Sequence, residues 1–305
     1  MSLSLFPTSS LRAIMNWNML KTTAYIHFLK AGGLSTVQDQ GRFGFAEYGV
    51  PYSGAMDQFS LMQGNVLLRN QKEAAALEIG ISGPSMVFEM PTRIVFTGAL
   101  AEIFHNGKPI QLGQIVNIAC DDEIKIGKFF RGQWLYMALE GGLETPIFME
   151  SRSWYPGISS QSRLKKGDSI CYLSEEKYHS DHFSHPKLDG SWFKGKEIEV
   201  YKGPEWKDLT LEQQSLLMNS EFKISPVSNR MGIQLEGNVS NQLKEILTSP
   251  VYPGTVQLTP SGKLIVLMRD AQVTGGYPRV FQLSDQAINI ISQKNFGEKV
   301  KFSII

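Results

Sequence analysis

The side chains best equipped for chemistry lie in four glycine-punctuated loops. Asp270-Ala271-Gln272-Val273-Thr274-Gly275-Gly276-Tyr277-Pro278 joins a carboxylate, an amide, a hydroxyl, two glycines and an aromatic ring within nine residues. Such a loop could bind a small polar amide or carboxylate, or could close a tight turn beneath Tyr277. Between Gly33 and Gly44 stand Gln38, Asp39 and Arg42, an amide, an acid and a planar guanidinium donor. That spacing suits either a substrate contact or a buried Asp39–Arg42 salt bridge. Gly49-Val50-Pro51-Tyr52-Ser53-Gly54-Ala55-Met56-Asp57 repeats the theme directly before a helical pattern. Its amides could receive an anion at the helix N-terminus, or Ser53 or Asp57 could simply cap the helix. The fourth loop, Ser228-Asn229-Arg230-Met231-Gly232, brings a second arginine.

Other chemistries find little support. His179, His182 and His185 beside Asp181 have a spacing that could meet a metal on a helical face, but Pro186 and the surrounding Ser and Gly read as a linker, so no metal site is assigned. Gly262-Lys263 resembles the end of a phosphate-binding loop, yet Gln257 and Leu264 stand where that motif needs Gly and Ser or Thr. No G-x-S-x-G, H-E-x-x-H or C-x-x-C element occurs. Thirty basic against 29 acidic side chains leave a net charge of +1, without the cationic field that nucleic-acid binding draws on. Two cysteines, Cys120 and Cys171, cannot make a disulfide framework, which favours a reducing, cytoplasmic setting. No apolar run reaches the roughly 18 residues of a membrane-spanning helix, so no membrane is expected.

These loops must be held by a scaffold, and the chain of 305 residues is long enough for two domains or one large β-rich unit. Short runs rich in Val, Ile, Phe and Tyr predict many strands, among them Ser85 to Glu89, Arg93 to Phe96, Ala101 to His105, Ile115 to Ile118, Gln133 to Leu139, Glu197 to Tyr201, Thr255 to Leu258 and Leu264 to Met268. Asn106-Gly107 predicts a type I′ hairpin turn, and Pro260-Ser261-Gly262-Lys263 a second reversal. Helices are few: Asp57 to Leu68 with Phe59, Met62 and Val66 at helical spacing, a capping box at Thr210 to Gln213, and Ser284 to Gln293 with Ile288 and Ile291 on one side. The polar stretch between Ser174 and Lys196 is the natural boundary. We expect a loose tail over residues 1–21, with Met19 an alternative start, an N-terminal half over 22–185 and a C-terminal half over 186–305. A faint echo links the halves, Arg42-Phe43-Gly44 with Thr97-Gly98-Ala99 and Arg230-Met231-Gly232 with Thr274-Gly275-Gly276.

Taken in order, T-x-Q-D-x-G-R-x-G from Thr36, G-V-P-x-S-G-A-M-D from Gly49, Asn65, Leu67 and Asn70, Leu77-Glu78 with Gly83-Pro84, and Thr97-Gly98-Ala99 resemble the allophanate hydrolase subunit 2 family. Gly203-Pro204, Arg230-Met231-Gly232, Gly254-Thr255-Val256-Gln257 and the T-G-G-Y-P loop continue the resemblance through the second half. That family, also called the KipA or biotin-dependent carboxyltransferase group, is similar to the carboxyltransferase region of urea carboxylase and to the C-subunit of bacterial 5-oxoprolinase. The resemblance implies a mainly β protein of two cyclophilin-like β-barrel halves with a few short helices.

It further implies a sister subunit of the KipI or allophanate hydrolase subunit 1 type, a third, lactam-opening subunit, and ATP-dependent opening of 5-oxo-L-proline to L-glutamate. ATP would be bound by this chain or with the sister, and biotin would enter only on another chain, since no carrier signature is present. Within that reading Arg42 and Arg230 would hold carboxylate or phosphoryl oxygens, Asp39 or Asp270 would act as base or orienting group, and Gln38, Gln272 and Thr274 would read the amide. Ser53, Asp57, Gly275, Gly276 and Tyr277 complete the expected substrate contacts. Asn229 stands where the family has Asp, Val273 where a Thr is common, Trp154 follows Ser151-Arg152-Ser153 in place of Thr, and Ser159 to Arg163 replaces a glycine-rich loop. Two other readings follow from the same resemblance: a urea- or allophanate-type carboxyltransferase component, and a non-enzymatic regulator that binds a kinase inhibitor.

Overall fold

The computed structural model describes residues 21–174, 188–241, 243 and 245–305. The first half contributes strands β1 (Thr22–Lys30), β2 (Leu34–Gln38), β3 (Ala76–Gly80), β4 (Ser85–Phe88), β5 (Thr92–His105), β6 (Lys108–Pro109), β7 (Val116–Ile118), β8 (Glu123–Leu139) and β9 (Ser169–Ser174), with helix α1 (Gln58–Leu67) between β2 and β3. They form one curled nine-stranded sheet in the order β2-β3-β8-β4-β1-β9, with β5 on β8 and the short β6 and β7 on β5. The second half contributes β10 (Glu197–Lys202), α2 (Leu211–Asn219), β11 (Phe222–Ile224), β12 (Gly232–Glu236), β13 (Ser249–Pro250), β14 (Thr255–Leu258), β15 (Leu264–Leu267), β16 (Thr274–Gly275), β17 (Arg279–Leu283), α3 (Asp285–Ser292) and β18 (Lys299–Ile304). Seven of these strands close a barrel in the order β10-β17-β14-β15-β12-β11-β18, leaving β13 and β16 as a separate two-stranded ribbon. The protein is thus mainly β, with three α-helices among the described residues. The division expected at 185/186 and the His179, His182 and His185 run lie outside the described residues.

Local sequence explains the pieces that hold the site. Asn106 and Gly107 both take positive φ, 49° and 77°, so the Asn-Gly turn adopts the conformation its composition predicts. Arg93 to Phe96 and Ala101 to His105 prove to be one 14-residue strand, because Gly98 at φ 93° lets β5 bulge against β8 without ending. The capping box of α2 is present, Thr210 accepting from Gln213 N, and Ser284 caps α3 with Ile288 and Ile291 buried.

Helix α1 departs from expectation. Met62 and Val66 face solvent, while Ser60, Leu61, Gly64 and Asn65 are buried against the sheet. The cause is close approach: a Cβ on Gly64 would stand 2.9 Å from Ala138 Cβ, so the small face docks. The sequence echo is not matched in structure either, since Thr97 is buried mid-strand whereas Thr274 is exposed in the β13/β16 ribbon.

The strand β3 is buried along its whole length. Leu77 and Ile79 join Ile26, Phe28, Phe96 and Leu135 in the core of the curled sheet. Glu78 points from the opposite face, where Met56, Trp134, Tyr136 and Ala138 share one apolar cluster with Val200, Val256, Phe281 and Phe302 of the barrel. Strand pairing sets Thr36, Glu78, Tyr136 and Thr97 in a row across that face, and all four are buried. Buried polar groups need partners: Thr97 donates to Ser60 O, Thr36 accepts from Gln38 and Tyr136 donates to Glu78, all within the first half, which leaves the Glu78 charge to be met from the barrel.

Candidate active site

Glu78 finds its counter-charge in Arg230. Its Nε donates to Asp270 Oδ2 at 2.7 Å, its Nη2 to Asp270 Oδ1 at 2.9 Å and to the carbonyl of Gly54 at 2.8 Å, and its Nη1 to Glu78 Oε1. Glu78 Oε2 accepts from Met56 N and from the Tyr136 hydroxyl, each at 2.7 Å, and that hydroxyl in turn accepts from Asp57 N at 2.8 Å. Burial works against the charge on Arg230, but Asp270 and Glu78 outweigh it and hold the guanidinium protonated more firmly than usual. All three nitrogens of Arg230 are engaged, so it is a clamp between the halves rather than a free receptor for substrate oxygens.

Asp57 caps α1 by accepting from Ser60 N at 3.0 Å, and its other oxygen accepts from Gln293 Nε2 at 2.7 Å. It is wholly buried, and desolvation raises its pKa from 3.8 to about 6, against the opposing pull of those hydrogen bonds. The capping alternative for this residue is therefore realised, and Asp57 stands behind the site as a bridge to α3. Gln293 also accepts from Gln133 N at 2.9 Å and Trp134 N at 3.0 Å, where β8 bends at Gly132.

Asp39 is fully occupied. Oδ1 accepts from Gly41 N at 2.8 Å, Ser151 Oγ at 2.7 Å and Ser153 Oγ at 2.6 Å, and Oδ2 from Arg152 N at 2.6 Å. With both oxygens engaged, the carboxylate anchors the 151–153 segment, which suits an orienting group rather than a base. The unusual Ser151-Arg152-Ser153-Trp154 sequence is what supplies this cage, with Trp154 buried in the sheet core. Asn229 likewise preserves the local turn, its Oδ1 accepting from Met231 N at 2.8 Å and Gly232 N at 3.2 Å, as the carboxylate usual there would.

Arg42 differs from Arg230. It is 1 % exposed, its Nη2 donates to the carbonyl of Ser153, and its Nε and Nη1 have no partner among the described residues. Burial depresses its pKa, with Asp39 and Asp270 pulling the other way. Two loops stack backbone on backbone to hold it, through Arg42 N to Tyr52 O at 2.6 Å and Ala55 N to Asp39 O at 2.9 Å. Gly41 at φ 101° permits that contact, because a Cβ there would lie 2.6 Å from Tyr52 O. Ser53 takes a positive φ of 53°, donates its N–H to Arg269 O at 2.8 Å and keeps its buried hydroxyl unpartnered among the described residues. Gln38 is fully buried, its Nε2 on Thr36 Oγ1 at 3.1 Å and Trp154 O at 3.3 Å, its Oε1 likewise without a described partner.

One residue along the chain from Tyr52 and Trp154, a cleft of about 330 Å³ opens between the halves, walled by Val50, Pro51, Tyr155, Pro156 and Ile158 on one side and Met231 and Gln272 on the other. Tyr155 has its pKa raised by burial and by the nearby Asp270 charge. Tyr52 links the two sides, its ring 5.9 Å from Phe43 and 6.2 Å from Tyr252. Gln272 faces the cleft and is exposed. Thr274 and Gly275 pair with Pro250 and Ser249 in the β13/β16 ribbon, Gly276 O accepts from Ile246 N at 2.9 Å, and Tyr277 is half-buried, so this loop is a brace that continues into Tyr252.

The sequence assigns no role to Tyr136 or Gln293, and Glu78 enters it only as part of the Leu77-Glu78 motif. Glu78 was visible as a lone acid inside an otherwise apolar strand, which buried pairing alone explains. The recurrence of Thr-Val-Gln at 36–38 and 255–257 was also legible, and both glutamines are buried with one amide atom unpartnered among the described residues. Among the described residues no cluster of three metal-ligating side chains occurs, and no helix is long and apolar enough to cross a membrane.

A mainly β protein of two halves, clasped by one buried arginine and opening a largely apolar cleft between them, is the class that fold and site define. The chain belongs to the family of carboxyltransferase domains, subdomains A and B, which matches residues 48–304. It is 30% identical over 282 residues to the 5-oxoprolinase C-subunit of Escherichia coli, covering 91% of this chain and 90% of the relative. It is 27% identical over 288 residues to that of Haemophilus influenzae, covering 92% and 91%. In fold it is similar to the crystal structure of the urea amidolyase of K. lactis, with a TM-score of 0.79 at 24% identity, over 93% of this chain; it spans 19% of that chain.

Proposed function

We propose that this chain is a subunit of an ATP-dependent amide or lactam hydrolase, acting as 5-oxoprolinase on 5-oxo-L-proline together with a KipI-like sister and a lactam-opening third subunit. The observation that carries the reading is Arg42: a buried guanidinium with two nitrogens unpartnered among the described residues, held by Tyr52 and Ser153, close along the chain to Pro51 and Tyr155 of the inter-half cleft, in a chain whose relatives are named as 5-oxoprolinase subunits. Leaving such donors unmade costs on the order of 1–3 kcal/mol each, which a ligand's oxygen would recover.

In this reading Arg42 polarises the bound amide or holds an oxygen that develops charge, Asp270 acts on it only through its field, and Gln38 and Gln272 contact the amide. Asp39 keeps the Ser153 carbonyl, and hence Arg42, in place. The halves divide at 185/186, and the complex works in the cytoplasm.

The one loop that resembles a phosphate-binding motif does not offer ATP a site. The Gly262-Lys263 pair closes the β14/β15 hairpin, Gly262 N donating to Thr259 O at 2.9 Å and Lys263 N to Thr259 Oγ1 at 3.0 Å, so no phosphate cradle is formed there. In this reading the nucleotide therefore sits on a partner chain. The test is ADP release by this chain co-expressed with the two partners, with 5-oxoproline, urea or no addition. Stimulation by 5-oxoproline alone supports the lactamase reading. Stimulation by urea alone replaces it with the carboxyl-transfer reading, and a stable complex that neither compound stimulates replaces it with a regulatory one.

A further inference from the structure

The outer face of the curled sheet carries a relay of three polar side chains, none of which lines the cleft between the halves. Strands β1 and β9 pair so that His27 lies directly opposite Ser169, and β1 and β4 pair so that His27 also faces Val87, two residues before Glu89. Alternation puts His27 on the solvent side of β1, since Ile26 and Phe28 on either side of it are buried. There its Nδ1 stands 2.8 Å from Ser169 Oγ and its Nε2 2.8 Å from Glu89 Oε1. The carboxylate is itself fixed: its Oε2 accepts from Tyr25 N at 2.9 Å, and Glu89 N donates to Tyr25 O at 3.1 Å.

The partners decide where the protons sit. A carboxylate only accepts, so the ring nitrogen facing Glu89 carries the hydrogen, and in the neutral imidazole that leaves Nδ1 bare. Ser169 is then the donor, its Oγ–H aimed at a base whose other side is held by an acid. This is the nucleophile, base and orienter order of covalent acyl transfer, here with Nδ1 as the base atom. The side chains of His27 and Glu89 are 46% and 41% exposed and Ser169 is exposed too, so a reagent in solution reaches them.

We propose that Ser169 is an activated nucleophile, acylated by small activated esters with His27 as general base and Glu89 as positioning residue. Ser169 Oγ bonds to the acyl carbon while its proton passes to His27 Nδ1; the acyl C–O bond then breaks, and the leaving alcohol takes the electron pair and the proton held by His27. Water repeats the exchange on the acyl-serine, releasing the carboxylic acid and restoring the Ser169 hydroxyl. An open face neither excludes water nor encloses an oxyanion, which limits the substrates to acyl compounds with a good leaving group, such as aryl esters. The three side chains stand on or beside paired strands, which fixes their spacing.

The test treats the full chain with p-nitrophenyl acetate and follows acetylation peptide by peptide by mass spectrometry, with the exposed Ser82 of the same molecule as internal reference. We expect Ser169 to be acetylated at least about 10²-fold faster than Ser82, the lower end of what a positioned general base supplies. Glu89→Gln should bring the two serines to within about 3-fold of each other. Tyr25 N claims the single amide oxygen of that variant and turns the NH₂ toward His27 Nε2, so the ring proton moves to Nδ1 and the base is lost. Nitrogen NMR of the His27 ring reads the exchange directly, with the hydrogen on Nε2 in the parent and on Nδ1 in the variant. If circular dichroism shows that Glu89→Gln does not fold, His27→Gln takes its place with the same expected loss of preference. Acetylation of Ser169 no faster than Ser82, or a preference that survives the substitution, overturns the proposal and leaves the three side chains as a tie between strands.

Discussion

Arg230 of the barrel half and Glu78 of the curled-sheet half form an ion pair in which the carboxylate is wholly buried. The same guanidinium grips both oxygens of Asp270, so one arginine ties a buried carboxylate of the barrel half to an acid of the other half. Removing one partner of such a group strands a charge in the interior, whereas the intact set is neutralised and hydrogen-bonded.

Arg230→Met is therefore expected to lower stability by about 3–5 kcal/mol, the range for breaking a buried charge set. Chemical denaturation measures it. A loss below about 1 kcal/mol would mean that Glu78 and Asp270 are accommodated without Arg230.

Asp57 predicts a pH dependence. Its folded pKa is about 6 against 3.8 unfolded, so between those values the folded protein holds more protons than the unfolded chain. Its contribution is then fully present below about 4 and lost as pH rises through 6, by on the order of 2–3 kcal/mol. Asn is also a good N-cap, so Asp57→Asn should flatten this part of the stability profile between pH 4 and 7. Parallel profiles for the two proteins would disprove the assignment.

Gln293→Leu deprives Gln133 N and Trp134 N of their acceptor and Asp57 of a donor. A loss of roughly 2–4 kcal/mol is expected from these unmade bonds, along with a further upward shift of the Asp57 pKa. Thermal melts at pH 5 and pH 8 separate the two effects, since the second enlarges the difference at the higher pH.

On activity, Arg42→Lys in the assembled complex should lower turnover by about 10²–10³-fold, as loss of a fixed donor at a site of developing charge does. Fold and assembly should be retained, because the ammonium can still reach Ser153 O. Wild-type turnover in this variant would sink the assignment of Arg42.

The scaffold was largely legible in the sequence. The Asn106-Gly107 turn, the Thr210 capping box and the Ser284 cap are local devices, and each acts as its residues predict. The apolar face of α1 was not, because Gly64 against Ala138 is a tertiary fit invisible to helical spacing. The site loops were found by composition, yet composition could not separate Arg42 from Arg230. Both are buried arginines followed by an apolar residue and glycine, and they differ only in what faces them: three partners from two halves for Arg230, one backbone carbonyl for Arg42. Nor could sequence tell that Asp57 and Asp39 are already saturated, since their partners lie 236 and 112 positions away in the chain.

The apolar cluster that runs from Met56 and Trp134 into the barrel interior gives the two halves one common core. Hinged opening, the usual way a two-lobed protein admits a ligand, would have to tear that core and expose its side chains to water. A ligand bound for Arg42 would therefore have to displace the surface segments around Tyr52 and Ser153 while the shared interior stays closed.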